Sequence, residues 1–293
     1  NAVPAGKLVR CWLPYPRTDQ SRQRDVKFIS ASEPEYVLSP QECRHSTLYM
    51  EKRAVQGEPT VFSETFEYTS CGEWHNLRAE DVLPYDTTTA LYKEYTAERE
   101  KHIVFSPRLR ELAAKLAAGE TNPYLKAKRI FRWINDHFPW ASAREYSTIE
   151  NIPEYVLDNR HGDCGQVSLL FITLCRISGI PAHFQSGFMM HPRAWNLHDW
   201  AEVYFEGVGW VPVDQSFGIP TFARNADEEY FFMGGIDSWR MIVNTDYGMP
   251  LVPEKKYPRS ETVDFQRGEV EWEGGNLYFP QWSYHMDIDY LNY

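Results

Sequence analysis

The 293-residue chain has little with which to cross-link itself. Its five cysteines (Cys11, Cys43, Cys71, Cys164 and Cys175) are few and scattered, and no CxxC occurs. That excludes a disulfide framework and a zinc ribbon, and an odd count leaves at least one thiol free if all pairing is internal. Cationic charge is also short. Lys+Arg total 30 against 41 Asp+Glu, a net charge of −11. Such a chain lacks the basic footprint of a nucleic-acid binder or an anionic-membrane binder, so neither partner is expected. No apolar run approaches the ~18 residues of a bilayer-spanning helix, and no membrane span is expected. The longest run, Leu169–Cys175, is far shorter. The chain opens at Asn1 without a basic or apolar leader. That fits an exported chain, periplasmic or extracellular, whose targeting segment was removed, or a shortened sequence.

What is present points to a folded protein. Hydrophobic residues make up 43% and aromatics 15%, which rules out wholesale disorder. The length suggests about two domains at roughly 150 residues each. Residues 1–100 read as strand, in the segments Leu8–Leu13, Val26–Ile29, His45–Met50 and Val61–Tyr68. A small β-sandwich is the simplest expectation for them. Helical signals then begin. Ser106-Pro107 and Asn122-Pro123 are start signals ahead of apolar residues at helical spacing, and a third helix runs from Cys164 to the stop at Gly179-Ile180-Pro181. Strands return at Ala182–Phe188, Trp200–Phe205 and Trp210–Val213, followed by hairpins at Arg240–Asn244, Gly268–Trp272 and Leu277–Tyr284. The order argues α+β, with a β-domain at 1–100 and a second domain at 101–293 that includes the carboxy-terminal hairpins.

The chemistry gathers around His161-Gly162-Asp163-Cys164-Gly165-Gln166. Cys164 falls in the first turn of an apolar helix, near unpaired N–H groups and the positive end of the helix dipole, which favours thiolate; Asp163 opposes it. Alone, such a cysteine also reads as a small buried hydrophobe, the expected role of Cys175. A thiolate nucleophile needs a base and an orienting group. Alternation along His198-Asp199-Trp200-Ala201-Glu202 puts His198, Trp200 and Glu202 on one face, and the next strand puts Asp214 on the face of Trp210 and Pro212. His198 and Asp214 meet if the strands pair with an even sum of residue numbers, which needs an odd-length loop or a bulge around Gly207 and Gly209. His161, His183 and His191 compete as bases. Asp199 points away from the His198 face and is a poor orienting group.

These blocks, Gly162-Asp163-Cys164, then Leu174-Cys175-Arg176-Ile177-Ser178-Gly179-Ile180-Pro181, His198-Asp199-Trp200-Ala201-Glu202-Val203-Tyr204 and Gly209-Trp210-Val211-Pro212-Val213-Asp214, closely resemble the transglutaminase-like superfamily. The resemblance covers roughly residues 100–245 and extends weakly to Val9–Pro16 and Phe231–Asn244 in the manner of bacterial members. It implies a papain-like core and a triad of Cys164 as nucleophile, His198 as base and Asp214 as orienting acid. It also implies an oxyanion donor upstream of the nucleophile, for which Trp140 is the choice, with Tyr146 as a further candidate. The expected reaction is acyl transfer from a peptide or protein amide, including cell-wall-type amides, through a thioester. Water as acceptor makes a cysteine peptidase or amidase, the preferred expectation, since no acidic calcium loop is recognisable; an amine makes a transglutaminase. No cofactor is expected. A non-catalytic protein- or glycan-binding module is the alternative of another class, and a metal held by His161, Cys164 and His198 is a third.

Overall fold

The computed structural model describes residues 2–142 and 144–291. The first strands are β1 (Leu8–Pro14), β2 (Gln23–Ala31), β3 (Tyr36–Leu38), β4 (Thr47–Arg53), β5 (Glu64–Ser70) and β6 (Glu73–Trp74). Five helices follow: α1 (Ala90–Tyr95), α2 (Pro107–Ala117), α3 (Pro123–His137), α4 (Ile152–Asn159) and α5 (Cys164–Ile177). Then come β7 (Ala182–Met189), β8 (Asn196–Phe205), β9 (Gly209–Val213), α6 (Ala226–Glu229), β10 (Gly235–Ile236), β11 (Arg240–Thr245), β12 (Glu269–Trp272) and β13 (Gly275–Leu277). The fold is α+β.

Local chemistry accounts for the helix starts. Ser106 Oγ accepts the Leu109 N–H at 3.2 Å and Asn122 Oδ1 accepts the Leu125 N–H at 3.2 Å, each with proline in the first turn. α5 stops where Gly179 takes φ +74°, the left-handed conformation that glycine adopts without a Cβ penalty. The short helices α1 and α4 have too few residues for a periodic stripe and were not anticipated.

A four-stranded antiparallel sheet, ordered β11-β7-β8-β9, carries α5 on one face. Ala201, Val203 and Phe205 of β8 and Val211 and Val213 of β9 share one buried cluster with Leu170, Phe171 and Leu174 of α5. α5 is therefore apolar nearly all round, as a helix enclosed on all sides must be. The β8–β9 ladder runs from Ala201↔Val213 to Phe205↔Gly209, an even register closed by a three-residue loop. Gly207 and Gly209 both take positive φ there, +87° and +105°.

The second sheet is ordered β13-β12-β1-β4-β3, all antiparallel. Val9 faces Trp272 and Cys11 faces Val270, so the carboxy-terminal strands complete the amino-terminal sheet. This corrects the expected grouping of those hairpins with residues 101–293. A β2–β5 ribbon covers part of the sheet through Val26, Phe28 and Phe66 against Tyr15, Leu48 and Met50. The strand expected over Leu277–Tyr284 ends at Leu277, and a 3-10 turn occupies Phe279–Gln281; Pro280 has no N–H to give a ladder.

Candidate active site

The start of α5 is tightly specified. Asp163 Oδ1 accepts the Gln166 N–H at 3.1 Å, and the Gln166 side chain returns to the Asp163 N–H at 3.4 Å. This capping box fixes Cys164 at the first helical position, half-buried. Gly165 beside it has a packing reason to lack a side chain. A Cβ there would lie 2.4 Å from Tyr146 Oη and 2.6 Å from Asp199 Oδ2.

Cys164 Sγ lies 3.4 Å from Asp199 Oδ2. The other oxygen, Oδ1, accepts from Gln266 Nε2 at 2.8 Å, and the same amide nitrogen reaches the His198 carbonyl at 3.0 Å. Tyr146 Oη stands 2.5 Å from Asp163 Oδ1 and 3.3 Å from Asp199 Oδ2, and accepts the Gly165 N–H at 3.1 Å. Burial pushes the Cys164 thiol well above its ordinary range, and the neighbouring Asp199 and Asp163 push the same way. The helix-start effect expected to favour thiolate is outweighed in this resting arrangement. Asp199 is raised as well, by burial and then by Asp163.

On the opposite face of β8, His198 Nε2 and Asp214 Oδ2 are 2.7 Å apart, with both side chains buried. Asp214 Oδ1 also accepts the Phe217 N–H at 3.1 Å, and Arg240 Nη2 lies 3.0 Å from Oδ2. Burial alone would raise the Asp214 carboxyl; His198 and Arg240 hold it below the usual carboxylate range. Arg240 is itself 1% exposed, pairs with Asp237 at 2.7 Å, and lies over the Phe217 ring. The His198 ring packs edge-on against Phe217 at 5.3 Å. The ladder residue opposite His198 is Gly187, where a Cβ would meet the Met241 carbonyl oxygen at 1.9 Å.

The structure therefore joins two of the three predicted residues directly. His198 and Asp214 form a pair, while the sulfur of Cys164 bonds to the residue next to His198. The expected thiol–imidazole contact is not among the hydrogen bonds of Cys164. The cause is the strand alternation itself, since α5 covers the odd-numbered face of β8 and brings Asp199 to the sulfur. His198 commits Nε2 to Asp214 and keeps Nδ1. Trp140 reaches the loop before Cys164 through its backbone, bridged to Gly162, with Ala141 N–H donating to the Gly162 carbonyl at 3.1 Å. Trp140 as a whole is 59% exposed.

Two of the competing histidines pair elsewhere, while His161 stays in the loop before Cys164 with a buried Nδ1 that has no hydrogen-bond partner among the described residues. His183 Nε2 sits 3.1 Å from Glu202 Oε2 and His191 Nε2 sits 3.5 Å from Asp237 Oδ1. Among the described residues no group of three His, Cys, Asp or Glu is arranged to hold a metal, and no helix is long and apolar enough to cross a membrane. Sequence reasoning placed Asp199 on the face opposite His198 and set it aside, and it gave Gln266 and Arg240 no role. Strand alternation was the local signal for Asp199, and a charge within an apolar strand pattern was the signal for Arg240; Gln266 had none.

Comparison with known proteins places the similarity in the middle of the chain. Residues 110–215 match the model of the transglutaminase-like superfamily. An uncharacterised protein of Bacillus subtilis (strain 168), YebA, is 26% identical over 135 residues, 40% of this chain and 18% of its own length. A protein-glutamine gamma-glutamyltransferase of Pseudomonas aeruginosa is 23% identical over 125 residues, 39% of this chain and 19% of its own. The chain thus spans less than a fifth of either relative. A solved structure from Cytophaga hutchinsonii, described as a candidate cysteine protease, shares the fold with a TM-score of 0.55 at 19% identity, covering 82% of this chain and 77% of that one. Residues 110–215 thus resemble the transglutaminase-like superfamily, and they include the helix-start Cys164, His198 of β8 and Asp214 just past β9.

Proposed function

We propose that the chain is a thiol-dependent acyl transferase acting on amide or peptide bonds, with water as the preferred acceptor: a cysteine peptidase or amidase. The observation that carries this reading is the buried His198–Asp214 pair at 2.7 Å, one residue along β8 from the contact of Asp199 with the Cys164 sulfur. Asp214 is kept ionised by His198 and Arg240, so it fixes the imidazole tautomer with the proton on Nε2 and leaves Nδ1 as the base. Substrate binding must carry the sulfur from Asp199 to Nδ1. Catalytic hydrogen bonds commonly tighten only in the complex.

The thiolate then attacks the amide carbonyl. His198 delivers the proton to the departing amine, leaving a thioester that water opens with His198 as base. The Cys164 backbone N–H and the Trp140 indole N–H are the proposed oxyanion donors. The resemblance to a gamma-glutamyltransferase supports a second acceptor, an amine, after the same first half-reaction. The acyl donor is a peptide or protein amide, cell-wall-type amides included.

The test is turnover against a peptide and amide library, with and without added amine, for wild type and Cys164→Ala. Release of free acid that vanishes in the variant supports the peptidase reading, and an amide product with the added amine supports transamidation. Equal turnover by Cys164→Ala would overturn both.

A further inference from the structure

The surroundings of the nucleophile hold more acid than the proposed triad uses. Asp199 is 2% exposed and faces Cys164 and Asp163 from the start of α5 and Tyr146 from the segment before α4; Gln266, Glu261 and Asp264 face it from the stretch before β12, with Arg267 beside Asp264. The nearby cations are engaged with other groups. Arg267 pairs with Glu261 at 2.6 Å and Glu145 at 2.9 Å, and Arg259 donates to the Asp264 carbonyl at 2.6 Å. No salt bridge reaches the Asp199 carboxyl among the described residues; its hydrogen-bond partners are Gln266, Tyr146 and the Cys164 thiol. A buried carboxyl without a paired cation keeps a proton close rather than a bare charge. Both of its oxygens are held. Gln266 fixes Oδ1 while also gripping the His198 carbonyl, and the absent Cβ of Gly165 leaves Oδ2 room to approach the sulfur.

We propose that Asp199 is a proton-sharing partner of Cys164: in the resting protein one proton is held between Sγ and Oδ2, and this pair, not His198 alone, sets how readily the nucleophile ionises. Its catalytic meaning rests on Cys164 being the nucleophile. In one arrangement the thiol donates to the carboxylate. In the other the proton has passed to Oδ2, leaving thiolate beside a neutral acid, and the net charge of the pair is −1 in both. The arrangement with hydrogen on sulfur holds the nucleophile quiet until substrate brings it to His198. Loss of the second proton puts two negative charges 3.4 Å apart and is strongly opposed.

The test is the pH dependence of iodoacetamide alkylation at Cys164, followed by peptide mass mapping on the whole chain between pH 5 and 10, with melting temperatures in parallel. In wild type the rate should show a shoulder across neutral pH and a second rise at high pH. In Asp199→Asn the shoulder should vanish, leaving a single rise at lower pH, about tenfold faster than wild type at pH 8. Tyr146→Phe removes a hydroxyl that stabilises the charged pair and should move the onset to higher pH. The shoulder should survive in His198→Ala. An unchanged profile in a folded Asp199→Asn chain overturns the proposal. If that variant does not fold, an unshifted Tyr146→Phe profile does the same. A merely structural Asp199 would lower the melting temperature without altering the shape of the profile. The readout is alkylation, so absence of turnover in wild type would overturn the acyl-transfer reading and leave this proposal to stand or fall on its own curve.

Discussion

Arg240 Nη2 stands 3.0 Å from Asp214 Oδ2, inside a site where the two side chains are 1% and 0% exposed. The guanidinium shares that carboxylate with His198 and also holds Asp237 at 2.7 Å. Such a charge is costly to bury and costlier to orphan.

Arg240→Met leaves Asp214 with His198 as its remaining side-chain partner. The expected loss is about 3–5 kcal/mol of stability, with Asp214 and His198 no longer held in register. Arg240→Lys should recover part of the stability but not the fork that spans Asp214 and Asp237. Denaturant unfolding of both variants checks this, and wild-type stability in Arg240→Met would contradict it.

Asp214→Asn keeps the shape but loses the charge that selects the His198 tautomer. By triad logic, kcat should fall on the order of 10⁴-fold. Steady-state kinetics on any substrate found for the wild type, beside a melting curve, separates this from unfolding. Full activity would remove Asp214 from the mechanism.

Trp140→Phe retains a ring beside the Gly162 bridge and deletes only the indole donor. As an oxyanion group it should cost roughly 10²–10³-fold in kcat with little change in KM. A change confined to KM would assign the indole to substrate contact instead.

Gly165→Ala places a methyl 2.4 Å from Tyr146 Oη and 2.6 Å from Asp199 Oδ2. Overpacking of this kind costs about 1–3 kcal/mol and should spread the contacts around the sulfur. Gly187→Ala is expected to be worse, since its obstacle is the backbone carbonyl of Met241 at 1.9 Å rather than a side-chain end. Thermal melts of the two variants should rank in that order.

His45 supplies a pH dependence with a defined sign. It is fully buried, and burial together with the charge of Arg259 holds its pKa well below the usual histidine value. The folded chain therefore resists protonating it, while the unfolded chain takes the proton near pH 6.5. Its contribution to stability is full above that pH and declines as the pH falls below it. His45→Gln should flatten the decline in melting temperature between pH 7 and pH 5 relative to wild type; parallel slopes would rule His45 out.

The parts of the fold legible in the sequence were those governed by neighbours in the chain. Ser106-Pro107 and Asn122-Pro123 announced their helices because caps are local chemistry, and the three-residue loop between β8 and β9 is of the odd length that a shared face for His198 and Asp214 requires. The return of β12 to β1 left no such trace, since Val9 and Trp272 are partners only through the whole intervening fold. The same limit hid the site's supports. Alternation put Asp199 opposite His198, but which face would receive α5 depended on packing of Ala201, Val203 and Phe205 that no local pattern assigns. Gln266 and Arg240 come from segments remote from the blocks they serve.

The pairing of β1 with β12 also governs how the molecule can be made and divided. A ribosome releases Leu8–Pro14 long before Glu269–Trp272 exists, so one edge of the early strand stays open through nearly all of synthesis. A fragment limited to residues 110–215 would lack Gln266 and Arg240, and a cut near residue 100 would bare two complementary edges, one on each piece. Mixed back together, those pieces should seek each other.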